Sequence, residues 1–191
     1  MMDKNGHGND VSQFRAHFKP KLADKLNTWW ARQKGAKLGA GTILQQYAQI
    51  ERFPDLVEIG KNVIIKPHAQ ICACNRQSTI RIGEASTIGF YTFIYASELI
   101  IIGSNCLIAP FVYIVDSNHG IARAELIARQ PNATAPIIIG NDVWIGAKST
   151  ILAGAEIADG TVIAANSVFR GKSNPYAIWA GSPARKIGER K

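Results

Sequence analysis

The chain has 191 residues, 47% of them hydrophobic, with three cysteines and a formal net charge of +8. That length suits one domain with a modest appendage and is enough to bury a real core. No apolar run approaches the ~20 residues of a membrane-spanning helix, and no secretory cleavage pattern opens the chain, so the composition predicts a soluble cytoplasmic protein.

The first 37 residues hold eight Lys/Arg against three Asp/Glu, so the charge is concentrated in an N-terminal arm. Such an arm suits an anionic membrane surface, an acidic partner or simply water. The rest of the chain lacks the zinc spacing, recognition-helix pattern and interleaved aromatics of a nucleic-acid binder. Residues 1–10 read as disordered. After Pro20, the residues Leu22, Leu26, Trp29 and Trp30 recur at i, i+4, i+7 and i+8, which predicts an amphipathic helix. Its apolar stripe is expected to cover the open end of whatever core follows. Lys21, Lys25, Arg32 and Lys34 on the polar face add a weak membrane-surface contact as a secondary expectation. The arm is taken as residues 1–35.

From residue 36 an aliphatic side chain returns every sixth position. The series runs Leu38, Leu44, Ile50; Ile59, Ile65, Ile71; Ile82, Ile88, Ile94; Ile102, Ile108, Ile114; Ile139, Ile145, Ile151; and Ile157, Ile163, Phe169. Six fits neither a helical period nor the alternation of a long strand. Three units of six make a triangular coil of eighteen residues, and stacked coils turn each column of aliphatics into a ladder at the ~4.8 Å strand spacing. Residues 36–172 are therefore expected to form an all-β solenoid, a parallel β-helix of about six coils. Glycine or alanine after many of the aliphatics is expected where the backbone turns sharply, as at Gly60 and Gly83. Cys72, Cys74 and Cys106 sit inside β-like segments and are odd in number, which predicts free thiols in a reducing compartment.

The longest interruption of the ladder, 115–138, carries His119, the one histidine in an inserted loop after the arm; His7 and His17 precede the coils and His68 lies in one. Long loops on a repeat scaffold tend to carry function, and an imidazole suits proton transfer near neutral pH. Residues 173–191 follow as a short C-terminal extension.

The aliphatic-Gly hexads, the loop Asp116-Ser117-Asn118-His119-Gly120, the coil Ile139-Gly140-Asn141-Asp142-Val143-Trp144-Ile145-Gly146 and the ending Ala180-Gly181-Ser182-Pro183-Ala184-Arg185 together resemble the hexapeptide-repeat acetyltransferases. They are closest in pattern to the sugar and polysaccharide O-acetyltransferases. The resemblance covers about residues 36–187. It implies a left-handed helix, a homotrimer with active sites between subunits, acetyl-CoA as cosubstrate without a metal, and a sugar acceptor, with no nucleic acid as partner. It further implies that His119 is the general base and that Asp116, or else a backbone carbonyl, orients the ring. On the coenzyme A side it points to Trp144, Gly146, Ala147, Ala165, Arg170, Pro183, Ala184 and Arg185, with an N–H of Gly146-Ala147 as oxyanion donor. Lys172 and Lys186 are further candidates for phosphate. Trp179 either covers the adenine or staples the C-terminal segment. Asn118 and Tyr91 are the acceptor-side candidates. An amino-sugar N-acetyltransferase is the alternative within the same chemistry. A zinc enzyme on the same helix needs about three histidines where the coils offer His68 and His119, and a noncatalytic scaffold is the remaining class.

Overall fold

The structure, a computed structural model, describes residues 19–191. The disorder expected for residues 1–10 lies outside the described residues, as do His7 and His17. Among the described residues no helix is long and apolar enough to cross a membrane.

The coils place strands in three parallel sheets, one per side of a triangle. The first sheet stacks β1 (Lys37–Leu38), β4 (Val57–Ile59), β7 (Thr79–Ile82), β10 (Leu99–Ile102), β15 (Ile137–Ile139) and β18 (Glu156–Ile157). The second stacks β2 (Ile43–Leu44), β5 (Ile64–Ile65), β8 (Thr87–Ile88), β11 (Leu107–Ile108), β16 (Trp144–Ile145) and β19 (Val162–Ile163), and is continued by β21 (Ala177–Gly181) and β22 (Ala184–Glu189). The third stacks β3 (Gln49–Arg52), β6 (Gln70–Ala73), β9 (Phe93–Ala96), β12 (Tyr113–Val115), β17 (Thr150–Ile151) and β20 (Val168–Phe169).

The register matches the six-residue reading position by position. Leu38, Ile59, Ile82, Ile102, Ile139 and Ile157 are successive partners in the first sheet. Ile50, Ile71, Ile94, Ile114, Ile151 and Phe169 do the same in the third. These side chains fill the interior, and Ile65, Ile71, Ile88, Ile94, Ile114, Ile145 and Ile163 are fully buried. Each such burial stabilises by about 1.5–3 kcal/mol. Buried hydroxyls stitch neighbouring coils together. Ser86 Oγ, for example, donates to the Gly103 carbonyl and accepts from the Cys106 N–H, so these polar atoms sit in the core without an unpaired cost.

The small residue after each first-sheet aliphatic has a different cause from the one expected. The sharp left-handed turn comes three residues past the aliphatic, as at Asn62 (φ 56°) and Asn105 (φ 59°). Glycine is required at the earlier position because the next coil lies on top of it: a Cβ on Gly83 would stand 2.5 Å from the Gly103 carbonyl carbon.

The two ends are closed differently. Helix α1 (Leu22–Gln33) lies under the first coil with Asp24, Thr28 and Ala31 inward. Its Thr28 hydroxyl accepts from the Leu44 N–H, an Asp24 carboxylate oxygen accepts from the Gln46 N–H, and the Asn27 amide donates to the Gln45 and Ala48 carbonyls. The expected apolar stripe does not do the capping: Leu22, Leu26, Trp29 and Trp30 are all at least half exposed. A first coil presents unpaired backbone groups, so polar side chains are what it needs from its lid. At the far end the antiparallel β21–β22 hairpin extends the second sheet, and Trp179 continues the Ile163 column, edge-on to Phe169 at 5.2 Å. Trp179 is thus partly buried and staples the C-terminal segment to the core. Arg190 bonds the Asp142 carboxylate at 2.8 Å and the Gly160 carbonyl, pinning the hairpin to the last coils.

Candidate active site

The 115–138 insertion leaves from the corner between the third and first sheets. It forms an antiparallel hairpin, β13 (Ser117–His119) with β14 (Asn132–Thr134), pairing His119 with Asn132. Gln130 closes its tip, accepting from the Ala122 N–H and donating to the Ala122 and Glu125 carbonyls.

The hairpin is rooted by Asp116. This carboxylate is fully buried and accepts three main-chain bonds, from the N–H groups of Ser97 (2.7 Å), Glu98 (2.8 Å) and Leu99 (2.9 Å). Three donors converging on one carboxylate make a strong, directional anchor. They also correct the expectation for Asp116: its oxygens hold the turn into β10, and it makes no hydrogen bond to His119. The imidazole is exposed and has no hydrogen-bond partner among the described residues.

His119 opens into a cleft of about 410 Å³ lined by Asn118, His119, Ile121, Leu152 and Arg170. Leu152 and Arg170 each directly follow a third-sheet strand, β17 and β20, so the last two coils form the floor and the hairpin the wall. The cleft therefore brings together three expected residues, Asn118, His119 and Arg170. Leu152 and Ile121 were not foreseen. The position one past a third-sheet aliphatic is the signal that could have found Leu152.

The other expected residues lie elsewhere on the protomer. Trp144 is half exposed on the outer face of the second sheet, in a separate cleft of about 450 Å³ with Lys66, Phe90, Leu107 and Pro110. Burial there pulls the Lys66 ammonium below its ordinary pKa. Around the next corner the coils follow one rule. The first residue past the aliphatic donates its N–H to the coil above, as Gly146 does to the Ile163 carbonyl at 2.7 Å and Ala164 to that of Trp179 at 2.8 Å. The third residue turns left-handed and donates downward, as Asn166 does to Ala147. The second residue is left over. In two coils it is Pro67 or Pro110, which has no N–H, and in the first coil Asp24 satisfies Gln46. At Phe90, Ala147 and Ala165 the N–H has no partner among the described residues, and at the two alanines only a methyl group stands beside it. Gly146 is thereby corrected as an oxyanion donor, since its N–H is spent inside the stack, and Ala147 remains.

Tyr91 sits on the same corner farther down, in a stack of Tyr47, His68, Tyr91 and Phe111 with ring centroids 5.0, 4.7 and 5.4 Å apart. All four are left-handed residues with φ of 53–67°. Bulky side chains rarely adopt that conformation, and the stacking of the rings helps to offset it. Neither Tyr91 nor His68 lines the His119 cleft. Among the described residues no group of three or more His, Cys, Asp or Glu could hold a metal ion.

In the C-terminal hairpin Pro183 follows a cis peptide bond and Ala184 is buried against the core. Arg185 is exposed and bonds only the Ala184 carbonyl, whereas Lys172 pairs with Glu156 and Lys186 with Glu189. Of the basic candidates for phosphate, Arg170 and Arg185 are the ones without a carboxylate partner among the described residues.

A model of the bacterial transferase hexapeptide, six repeats, matches residues 136–171. Galactoside O-acetyltransferase of Escherichia coli K12 is 31% identical over 74% of this chain and 70% of its own. WcaF of the same organism, ascribed to colanic acid biosynthesis as an acetyltransferase, is 30% identical over 91% of each chain. The chain spans about half the length of two other relatives, 48% of a Mycobacterium tuberculosis protein and 54% of E. coli WbbJ. Among solved structures, AntD, an N-acyltransferase from Bacillus cereus in complex with dTDP and 3-hydroxybutyryl-CoA, superposes with a TM-score of 0.74 at 24% identity, covering 86% of this chain and 88% of its own. That likeness shows the fold, a left-handed parallel β-helix with, among the described residues, one N-terminal helix.

Proposed function

Because the chain belongs to the hexapeptide-repeat acetyltransferase family, we propose that it moves the acetyl group of acetyl-CoA directly onto a sugar hydroxyl, with His119 as general base. The acceptor is a saccharide of a bacterial surface polysaccharide or its precursor, in keeping with relatives ascribed to colanic acid and lipopolysaccharide biosynthesis. The setting is the cytoplasm, with which three free thiols agree.

The observation that carries this reading is an imidazole without a partner among the described residues, at a cleft shared with Asn118 and with Arg170, which makes no ion pair among them. His119 takes the acceptor O–H proton as that oxygen bonds to the thioester carbonyl, and returns it to the sulfur as the C–S bond breaks. Asn118 holds a neighbouring sugar hydroxyl. The Ala147 N–H faces the developing oxyanion, and the Ala165 N–H one rung up receives a pantetheine carbonyl. Two adjacent backbone donors beside bare methyl groups fit such an arm, and Arg170 and Arg185 suit its phosphates.

Trp144, Ala147 and Ala165 lie on a different side of the protomer from the His119 cleft, so one chain presents two half-sites. We read the assembly as a homotrimer that joins the hairpin of one copy to the second-sheet face of the next. Two apolar surfaces agree with this. Ile121, Leu126 and Ile127 are exposed on the hairpin, and Phe90, Leu107 and Trp144 on the sheet. Unlike patches on different faces pair heterologously, the kind of contact that makes a ring when the rotation between copies closes.

The test incubates the protein with acetyl-CoA and a panel of free, nucleotide-linked and amino sugars, reading mass and hydroxylamine lability. An acetylated product cleaved by hydroxylamine is expected. A hydroxylamine-resistant product would move the reading to an amino-sugar N-acetyltransferase, and no acetylated sugar at all would contradict it.

A further inference from the structure

We infer that the outward face of α1 is a docking surface for an anionic lipid bilayer. Leu22, Leu26, Trp29 and Trp30 expose 73%, 51%, 50% and 57% of their surface. On a helical wheel they lie opposite Asp24, Thr28 and Ala31, which bind the first coil. The helix is therefore fixed with its apolar stripe pointing away from the coils. A contiguous apolar stripe rimmed by polar residues marks an interaction site.

The rim states what kind of partner it takes. From Lys19 to Lys37 there are six Lys/Arg and one carboxylate, and that carboxylate, Asp24, is buried against the coil. Lys25 borders one side of the stripe and Lys34 the other, and neither makes an ion pair among the described residues. A second copy seated face to face on the stripe would bring lysine against lysine, which opposes self-pairing. An anionic headgroup layer meets the cations while the leucines and indoles enter the acyl boundary, where tryptophan is favoured. At twelve residues the helix is ~18 Å long and lies in the plane of the interface without spanning it. The β-helix is thereby held at a membrane surface with its cleft open to soluble cosubstrate.

The experiment sediments the full chain with phosphatidylcholine vesicles, with and without phosphatidylglycerol. Binding to the anionic vesicles is expected, weakening in high salt. Leu26→Gln/Trp29→Gln should lower it by about tenfold or more, and Lys25→Glu/Lys34→Glu by a comparable factor on anionic vesicles. Brominated lipid should quench the wild-type tryptophans more than those of Trp29→Phe/Trp30→Phe, a readout independent of how the glutamine variant folds. Equal binding to neutral vesicles, undiminished binding by the variants, or a change of sedimentation coefficient in the lipid-free stripe variant, which would make the stripe a contact between copies, would each overturn the inference. Acetyl transfer to a soluble sugar should be unchanged in all of these variants, so the outcome is separable from the proposed reaction.

Discussion

In the coils, each aliphatic from Leu38 to Phe169 meets another one rung above or below, and most backbone groups of each coil bond the next. The hairpin of β13 and β14 does the reverse, turning Ile121, Leu126 and Ile127 to solvent and burying a carboxylate at its root. The stack is held by repeated apolar burial, and the root of the insertion by polar bonds, three of them to Asp116 and others between Ser117 and Ser97 and between Ala135 and Gly154. A part built by repetition loses a fraction of its stability at any one position, whereas a part held by a few polar bonds depends heavily on the residue that makes most of them.

Ile94→Ala tests the stack. Its side chain is fully buried between Ile71 and Ile114 and should cost about 2–5 kcal/mol in denaturant unfolding, because a narrow interior collapses poorly around a cavity. A cost near zero would mean that the columns are not close-packed. Asp116→Ala leaves three main-chain N–H groups without their acceptor and should cost about 3 kcal/mol, with Asp116→Asn in between. Raised hydrogen exchange at Ser97, Glu98 and Leu99 would locate the damage. If Asp116 instead served only to orient His119, Asp116→Asn would lower kcat with the melting temperature untouched.

The thiols sharpen the same contrast at a smaller scale. Burial pushes the Cys72 thiol up to about 12, aided by Cys74 with its sulfur 3.6 Å away, and burial raises Cys106 as well. Near neutral pH one thiol per chain, the half-buried Cys74, should react with an aromatic disulfide reagent before unfolding. Fast reaction of all three would show the coils opening.

The smallest effect belongs to the exposed ladder of Lys37, Glu58 and Arg81 on the first sheet. The Lys37 hydrogen bond holds the Glu58 carboxyl below its ordinary pKa, with Arg81 adding to it. A lowered pKa contributes stability above the ordinary value of 4.5 that is lost as pH falls through the folded value. Solvent screening keeps this below about 1 kcal/mol. Melting curves of wild type and Glu58→Gln should differ slightly near neutral pH and converge on acidification.

The stack was legible in the sequence because its determinant is periodic: the six-residue spacing alone placed the aliphatic partners in register. The hairpin's place was legible too, since twenty-five residues separate Ile114 from Ile139 where six would suffice. What escaped the pattern depends on hydrogen bonds between distant segments. Asp116 reads as a histidine's neighbour until Ser97, Glu98 and Leu99 are seen to converge on it. The face of α1 was reversed for a similar reason. An apolar stripe usually marks the buried side, yet this helix meets an open coil edge, and Thr28, Asp24 and Asn27 supply what that edge lacks. The free N–H groups of Ala147 and Ala165 emerge only once the bonds at each corner are followed coil by coil.

The central claim is that the stack provides the frame and the hairpin the chemistry. The direct measurement is the initial rate of acetyl transfer by His119→Ala beside wild type, with melting temperature and sedimentation recorded on the same samples. The ring is exposed and bonds nothing among the described residues, so folding and assembly should be unchanged while the rate falls by about 10²–10⁴. A folded, normally assembled His119→Ala protein that transfers acetyl at the wild-type rate would contradict it.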